Sequence, residues 1–127
     1  MSEIENLNRH LREAVERYCT RYNCNFIVRP ICDRKSWEGT PFSYKAGCYA
    51  LYAQDGDLLY VGKASLFRSV GSRLWHHFQK SSAAWMPNTA LVQIVEVAEP
   101  YEAPSLEEYL IRELQPRWNG TGRLKSN

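Results

Sequence analysis

The sequence predicts an α+β fold, a small and mainly antiparallel sheet flanked by helices, and three observations point to it. Asp55-Gly56 stands between two apolar runs, GCYALYA and LLYVGKA, which is a strong short-range hairpin signal because a type I′ turn needs positive φ at both central residues. TALVQIVEVA, over residues 89–98, is a β-branched run suited to a strand buried on much of both faces. Ile4, Leu7, Leu11, Ala14, Val15, Tyr18 and Tyr22 recur at helical spacing, so residues 3–22 read as an amphipathic helix.

Taken in order, that first helix balances Glu3, Glu5, Glu13 and Glu16 against Arg9, Arg12, Arg17 and Arg21 on its outer face, a solvated pattern with no chemistry assigned. Residues 25–32 suit a short edge strand, since Pro30 cannot donate to a central ladder. Residues 33–46 read as a loop into the hairpin. With Asp55-Gly56 as a two-residue turn, Gln54 faces Asp57, Leu51 faces Tyr60 and Tyr49 faces Gly62. Alternation then puts Tyr49, Leu51, Leu58 and Tyr60 on one face, with Tyr52 and Leu59 on the other. Tyr49 and Tyr60 become diagonal neighbours, roughly 7–8 Å apart at the backbone, so two phenols converge on one small target. Phe67, Val70, Leu74 and Phe78 predict a helix over 66–80, which Gly71 weakens by about 1 kcal/mol relative to alanine. Pro87 and Asn88 interrupt the chain before the strand, and Glu99-Pro100 and Ala103-Pro104 make a loop. A last helix runs from Ser105 to Gln115, closed by Pro116.

At 127 residues, with 44% hydrophobic and 13% aromatic content, the chain suits one domain spanning residues 1–127 around a single core. No apolar run approaches a membrane span. The N-terminus is charged and amphipathic rather than a signal peptide, so a cytoplasmic location is expected. Cys19, Cys24, Cys32 and Cys48 lack paired C-x-x-C spacing and are expected as reduced thiols; a zinc site from the first three with a histidine is weakly supported. Net charge is only +2, but its distribution is uneven. Residues 58–80 carry Lys63, Arg68, Arg73, Lys80 and two histidines with no acidic residue, and Arg117, Arg123 and Lys125 follow near the C-terminus. Residues 96–113 instead hold six glutamates against Arg112. A basic segment beside the hairpin fits phosphate binding, although charge alone favours an ordinary solvated helix face.

Two adjacent glutamates must be told apart. Ser105-Leu106-Glu107-Glu108 has the form of a capping box in which Glu108 reaches back to the Ser105 amide, and Glu108 also stands four residues before Arg112. Glu107 has neither structural role. It precedes Leu110, Ile111 and Leu114 by three, four and seven residues, on the inward face. A carboxylate turned toward a core needs a partner, either a hard divalent cation or an arginine.

The segment GCYALYAQDGDLLYVGKA resembles the paired motifs of the GIY-YIG nuclease superfamily, with Cys48 and Val61 in place of the two isoleucines. LEEYLIRELQPRWNG is similar to that family's metal-binding helix and the asparagine after it. The resemblance implies a GIY-YIG-like nuclease core over residues 46–122, with 1–45 as an N-terminal helical extension. It implies that Glu107 is the single carboxylate for Mg²⁺ or Mn²⁺, and that Tyr49 or Tyr60 positions and deprotonates the attacking water. It also implies that Arg73 contacts the scissile phosphate, with His77 one turn later on the same helix face and Arg68 as the alternative arginine. Gly62, Lys63, Arg68 and Lys80 become substrate-binding candidates, and Asn119 would bind the substrate backbone or orient the site. Asn119 also reads as a plain turn residue. Trp37, Trp75, Trp85 and Trp118 read as packing residues.

The implied function is single-metal endonucleolytic hydrolysis of DNA, with RNA left open as a substrate. The alternative is a non-catalytic nucleic-acid-binding module that keeps the fold. The spacings Arg73–His77 and Glu107–Asn119 resemble the restriction-enzyme branch. A repair-type nicking role is weaker, for no helix-hairpin-helix or helicase-binding segment is visible. So small a domain leaves specificity to a homodimer or to residues 1–45.

Overall fold

The helical spacing at the N-terminus becomes α1, Glu3–Tyr22, in a computed structural model that describes residues 3–34, 46–64 and 89–119. Asn23 closes the helix in the left-handed region at φ 51°, where a short polar side chain is tolerated, and the Cys24 amide donates back to the Cys19 carbonyl at 3.1 Å. Pro30 then divides the expected edge strand in two. β1 (Ile27–Val28) and β2 (Cys32–Asp33) each pair antiparallel with the same central strand. That strand is β5 (Thr89–Glu96), and β3 (Gly47–Ala53) and β4 (Leu58–Ala64) form the hairpin beside it. The order is β1-β5-β3-β4, with β2 also on β5. The described sheet is antiparallel throughout, and the fold is α+β as the sequence predicts.

Leu11, Ala14 and Val15 of α1 share one core with Cys48, Ala50 and Tyr52 of β3 and with Leu106, Leu110 and Ile111 of the C-terminal helix. The alternate residues Tyr49, Leu51, Val92 and Ile94 form a second buried cluster on the opposite face. Gln93 is fully buried at the centre of the sheet, where it accepts from the Tyr52 hydroxyl at 3.0 Å and donates to the Arg29 carbonyl at 3.1 Å. Burial pushes the Tyr52 phenol well above its ordinary pKa, so it stays a donor.

The hairpin corrects the predicted turn and explains why its register still holds. Only Gly56 has positive φ, at 96°, so the turn is not type I′. Gly56 N–H donates to the Ala53 carbonyl, and Ala53 N–H to the Asp57 carbonyl, which makes Gln54-Asp55-Gly56 a three-residue loop. This shifts the pairing by one residue. A bulge restores it, because Tyr52 pairs with Leu58 but Leu51 pairs with Tyr60. Beyond the bulge Tyr49 faces Gly62, as predicted. Leu58 and Leu59 exchange faces: Leu59 joins the Tyr49 cluster and Leu58 packs on the helical side.

The last helix also starts earlier than its sequence suggests. A 3-10 turn, Pro100–Glu102, leads into α2, Ala103–Leu114. Pro100 and Pro104 sit in first turns, where the missing N–H is no loss. Ser105 therefore lies inside α2 and caps nothing; the cap that forms is upstream, where the Glu102 carboxylate accepts from Glu99 N–H at 2.7 Å. No ion pair joins Glu108 to Arg112 among the described residues. The predicted helix over 66–80 and most of the loop over 33–46 lie outside those residues.

Candidate active site

Gly62 explains how the first tyrosine is placed. A Cβ at position 62 would overlap the Tyr49 ring, so only glycine allows the ring to lie across β4 there. Gly47 answers a similar need at the start of β3, where a side chain would overlap the Val95 carbonyl. Tyr49 is almost completely buried, and its ring centroid lies 6.3 Å from that of Tyr60 at an interplanar angle of 37°. The two phenols thus share a face and meet, as the alternation predicts.

The strand that carries the second tyrosine is held at its outer edge by Asn119. Gln115 ends α2 in the left-handed region at φ 50°, and its side-chain amide donates to the Ile111 and Arg112 carbonyls at 3.2 and 3.0 Å. Pro116 stops any continuation, and the chain turns back along β4. There Arg117 and Trp118 N–H groups donate to the Leu58 and Leu59 carbonyls at 3.0 and 2.8 Å, with an Arg117–Asp57 ion pair at 2.7 Å. Asn119 follows, buried. Its Oδ1 accepts from Val61 N–H at 2.8 Å and its Nδ2 donates to the Val61 carbonyl at 2.9 Å. The side-chain amide imitates a strand neighbour for the residue after Tyr60. This is more than a turn residue, and the resemblance gave no hint of the partner.

Glu107 is half-buried beside the inward face of α2 made by Ala103, Leu106, Leu110 and Ile111. It lines a cavity of about 670 Å³ together with Tyr60, Asn119, Tyr18, Tyr22 and Tyr109. Glu107, Tyr60 and Asn119 are thus brought together, with Tyr49 behind Tyr60. Lys63 pairs across the hairpin with Cys48. The buried Cys48 thiol donates to the Ala103 carbonyl at 3.4 Å; burial raises its pKa well above the ordinary thiol value, Glu107 adds to the rise and Lys63 opposes it. Lys63 and Glu107 therefore act on one strand residue with opposite sign. Arg68, Arg73, His77 and Lys80 lie outside the described residues, as do Trp37, Trp75 and Trp85. Trp118 is exposed.

Tyr18 and Tyr22 are the lining residues the sequence reading missed as such. Their helical spacing matched that of core residues, and only the packing of α1 on α2 shows them beside Glu107. All four cysteines are free thiols. No group of three or more histidine, cysteine or acidic side chains is gathered for a metal among the described residues, and Glu107 lines the cavity beside its neighbour Glu108. No described helix is long and apolar enough to cross a membrane.

An antiparallel sheet carrying paired tyrosines on its hairpin, with a carboxylate helix and an asparagine against its edge, defines the class. The family model for the UvrC-like GIY-YIG domain matches residues 45–120, and the chain belongs to that family. This is the UvrC-like branch rather than the restriction-enzyme branch that the spacings suggested. Among relatives, the UvrABC system protein C of Borrelia turicatae is 35% identical over 82 residues, and that of Pseudomonas paraeruginosa 38% over 82 residues, each match covering 61% of this chain. The chain spans only 13% of the length of either relative. The GIY-YIG N-terminal endonuclease domain of UvrC from Thermotoga maritima, solved as a point mutant bound to its catalytic divalent cation, superposes with a TM-score of 0.51 at 23% identity. That match covers 62% of this chain and 87% of the other, and it shows a shared fold.

Proposed function

We propose that this chain is a metal-dependent endonuclease that hydrolyses phosphodiester bonds in DNA in the cytoplasm. The observation that carries the reading is the convergence of Glu107, Tyr60 and Asn119 on one cavity, with Tyr49 in contact with Tyr60. A divalent cation fits these residues. Glu107 offers one hard oxygen ligand in a cavity roomy enough for water, and Mg²⁺ characteristically keeps several waters beside one or two carboxylates. Glu107 would hold the ion, and the bound ion would supply charge stabilisation at the phosphate and the departing oxygen. The Asn119 amide is engaged with Val61, so its part is to hold β4 in place.

The chain's own contribution is orientation and proton transfer. Tyr60, at the cavity, is the better placed phenol to position the attacking water and take its proton, and Tyr49 fixes the Tyr60 ring from behind. Lys63 follows Gly62 on β4, three residues on from the cavity-lining Tyr60, and its positive charge would favour phosphate approach and lower the cost of ionising a phenol. Arg73, with His77 on the same helix face, is proposed to neutralise the transition state, and Arg68 and Lys80 to bind flanking phosphates.

Supercoiled plasmid, linear duplex and single strands, each incubated with Mg²⁺, Mn²⁺ or chelator, test the reading. Nicking or linearisation that requires the metal is expected, and Glu107→Gln should abolish it while leaving the melting curve near that of the wild type. Metal-independent cleavage, or full turnover by Glu107→Gln, would remove the carboxylate from its role. Binding without cleavage in any metal would instead identify a non-catalytic module on the same fold.

A further inference from the structure

α1 lies outside the stretch matched by the family model, yet it walls the cavity that holds Glu107. Tyr18 and Tyr22 come from its last two turns, and Tyr109 of α2 joins them. The ring centroids of Tyr18 and Tyr109 are 5.3 Å apart, and those of Tyr18 and Tyr22 are 4.7 Å apart at 48°. Tyr18 is buried, with its hydroxyl donating to the Ser105 hydroxyl at 2.7 Å, so it is a fixed backing. Tyr22 is 55% exposed and supplies open aromatic surface at the cavity edge, with the Arg21 guanidinium 5.8 Å from its ring centre.

We propose that this aromatic wall receives an unpaired nucleobase of the DNA substrate, stacked on Tyr22 while the scissile phosphate lies at Glu107. The proposal rests on the endonuclease reading and names the substrate class: DNA with an unpaired nucleotide beside the cleaved bond. Size permits it, since about 670 Å³ falls within the common range for sites of nucleotide-sized ligands. Charge selects a base over a phosphate for the aromatic end. Glu108 also lines the cavity, and a carboxylate that holds no metal repels a phosphate but accepts hydrogen bonds from the exocyclic amino groups of bases. Arg112 lines the same cavity. Stacking on tyrosine tolerates any base, so the wall distinguishes unpaired from paired rather than one sequence from another. A paired base must first leave its stack to reach a cavity set between two helices, and an unpaired one avoids most of that cost.

The test uses the full chain in chelator, with one duplex carrying 2-aminopurine as a single bulged nucleotide and another carrying it paired. Wild type should quench the bulged probe and bind its duplex about tenfold tighter than the paired one, the range expected for one base on one aromatic ring. Tyr22→Ala should remove both the quench and the preference while melting like the wild type, because the ring is largely exposed. Tyr22→Trp should keep them. Equal affinity for the two duplexes, or a preference that survives Tyr22→Ala, overturns the proposal. So does a dimer that Tyr22→Ala dissociates with no change in DNA binding, for the wall would then be a contact between copies. Cleavage of both duplexes in Mg²⁺ or Mn²⁺ is read separately. Cutting that ignores the bulge sinks the stacking wall alone, whereas tight bulge binding with no cutting in any metal sinks the catalysis alone.

Discussion

A methyl group at position 62 has nowhere to go except into the Tyr49 ring, which is itself buried and cannot swing to solvent. Gly62→Ala should therefore cost about 1–3 kcal/mol, the usual penalty for overpacking a tight site, and should displace the phenol that backs Tyr60. A lowered melting temperature together with lost plasmid nicking is the expected pair of results; a variant as stable and active as wild type would show that the ring can move. Asn119 makes the complementary case. Removing its amide in Asn119→Ala leaves the Val61 N–H and carbonyl without their buried partner, at about 1–3 kcal/mol for each unsatisfied group. Urea unfolding should register that loss. A variant of unchanged stability but weakened DNA affinity would assign Asn119 to the substrate instead. The resemblance marks both residues as candidates for the site, but it does not reveal what they touch. Asn119 and Val61 are 58 positions apart, and no local pattern couples them.

The hairpin shows what an element's sequence can and cannot specify. Alternation around Asp55-Gly56 correctly sets Tyr49 opposite Gly62 and Leu51 opposite Tyr60. It does so although the loop has three residues, because the bulge near Leu59 returns the register to its two-residue value. Leu58 and Leu59 are the same residue type, so either could serve either face, and period-two reading has no means of seeing the extra residue. Gly56 is the position the loop depends on. At φ 96° a side chain is strained, and Gly56→Ala should destabilise by about 1–2 kcal/mol, measurable as a shift in the denaturation midpoint. An unshifted midpoint would mean that the loop can re-form with another geometry. At α2 the S-x-x-E pattern over Ser105–Glu108 competes with Pro100 and Pro104, and the prolines win by starting helical structure upstream. Ser105 is then free to accept from Tyr18, a contact that ties α2 to α1.

At the scale of the molecule, the question is whether the family-matched region stands without what precedes it. Sequence resemblance separates residues 1–45 as an extension, but the packing joins residues 3–34 to the rest. β1 and β2 give β5 its outer neighbours, with Arg29 and Arg34 N–H groups donating to the Ile94 and Ala90 carbonyls. Arg29 also forms an ion pair with the mostly buried Glu96. Leu11, Ala14, Val15 and Tyr18 fill one core with Leu106, Leu110 and Ile111, which would face water in their absence. The three larger of these α1 side chains contribute roughly 1.5–3 kcal/mol each by burial, so losing them alone removes an amount comparable to the stability of a typical domain, about 5–15 kcal/mol. A chain beginning at residue 35 should consequently lose its near-ultraviolet circular dichroism, melt without a cooperative transition and aggregate. The same truncation should abolish cleavage through unfolding rather than through chemistry, so circular dichroism is recorded on the very sample assayed for nicking. A truncated chain that melts cooperatively and still cuts would show that the sheet and α2 suffice, and that α1 serves the substrate rather than the fold.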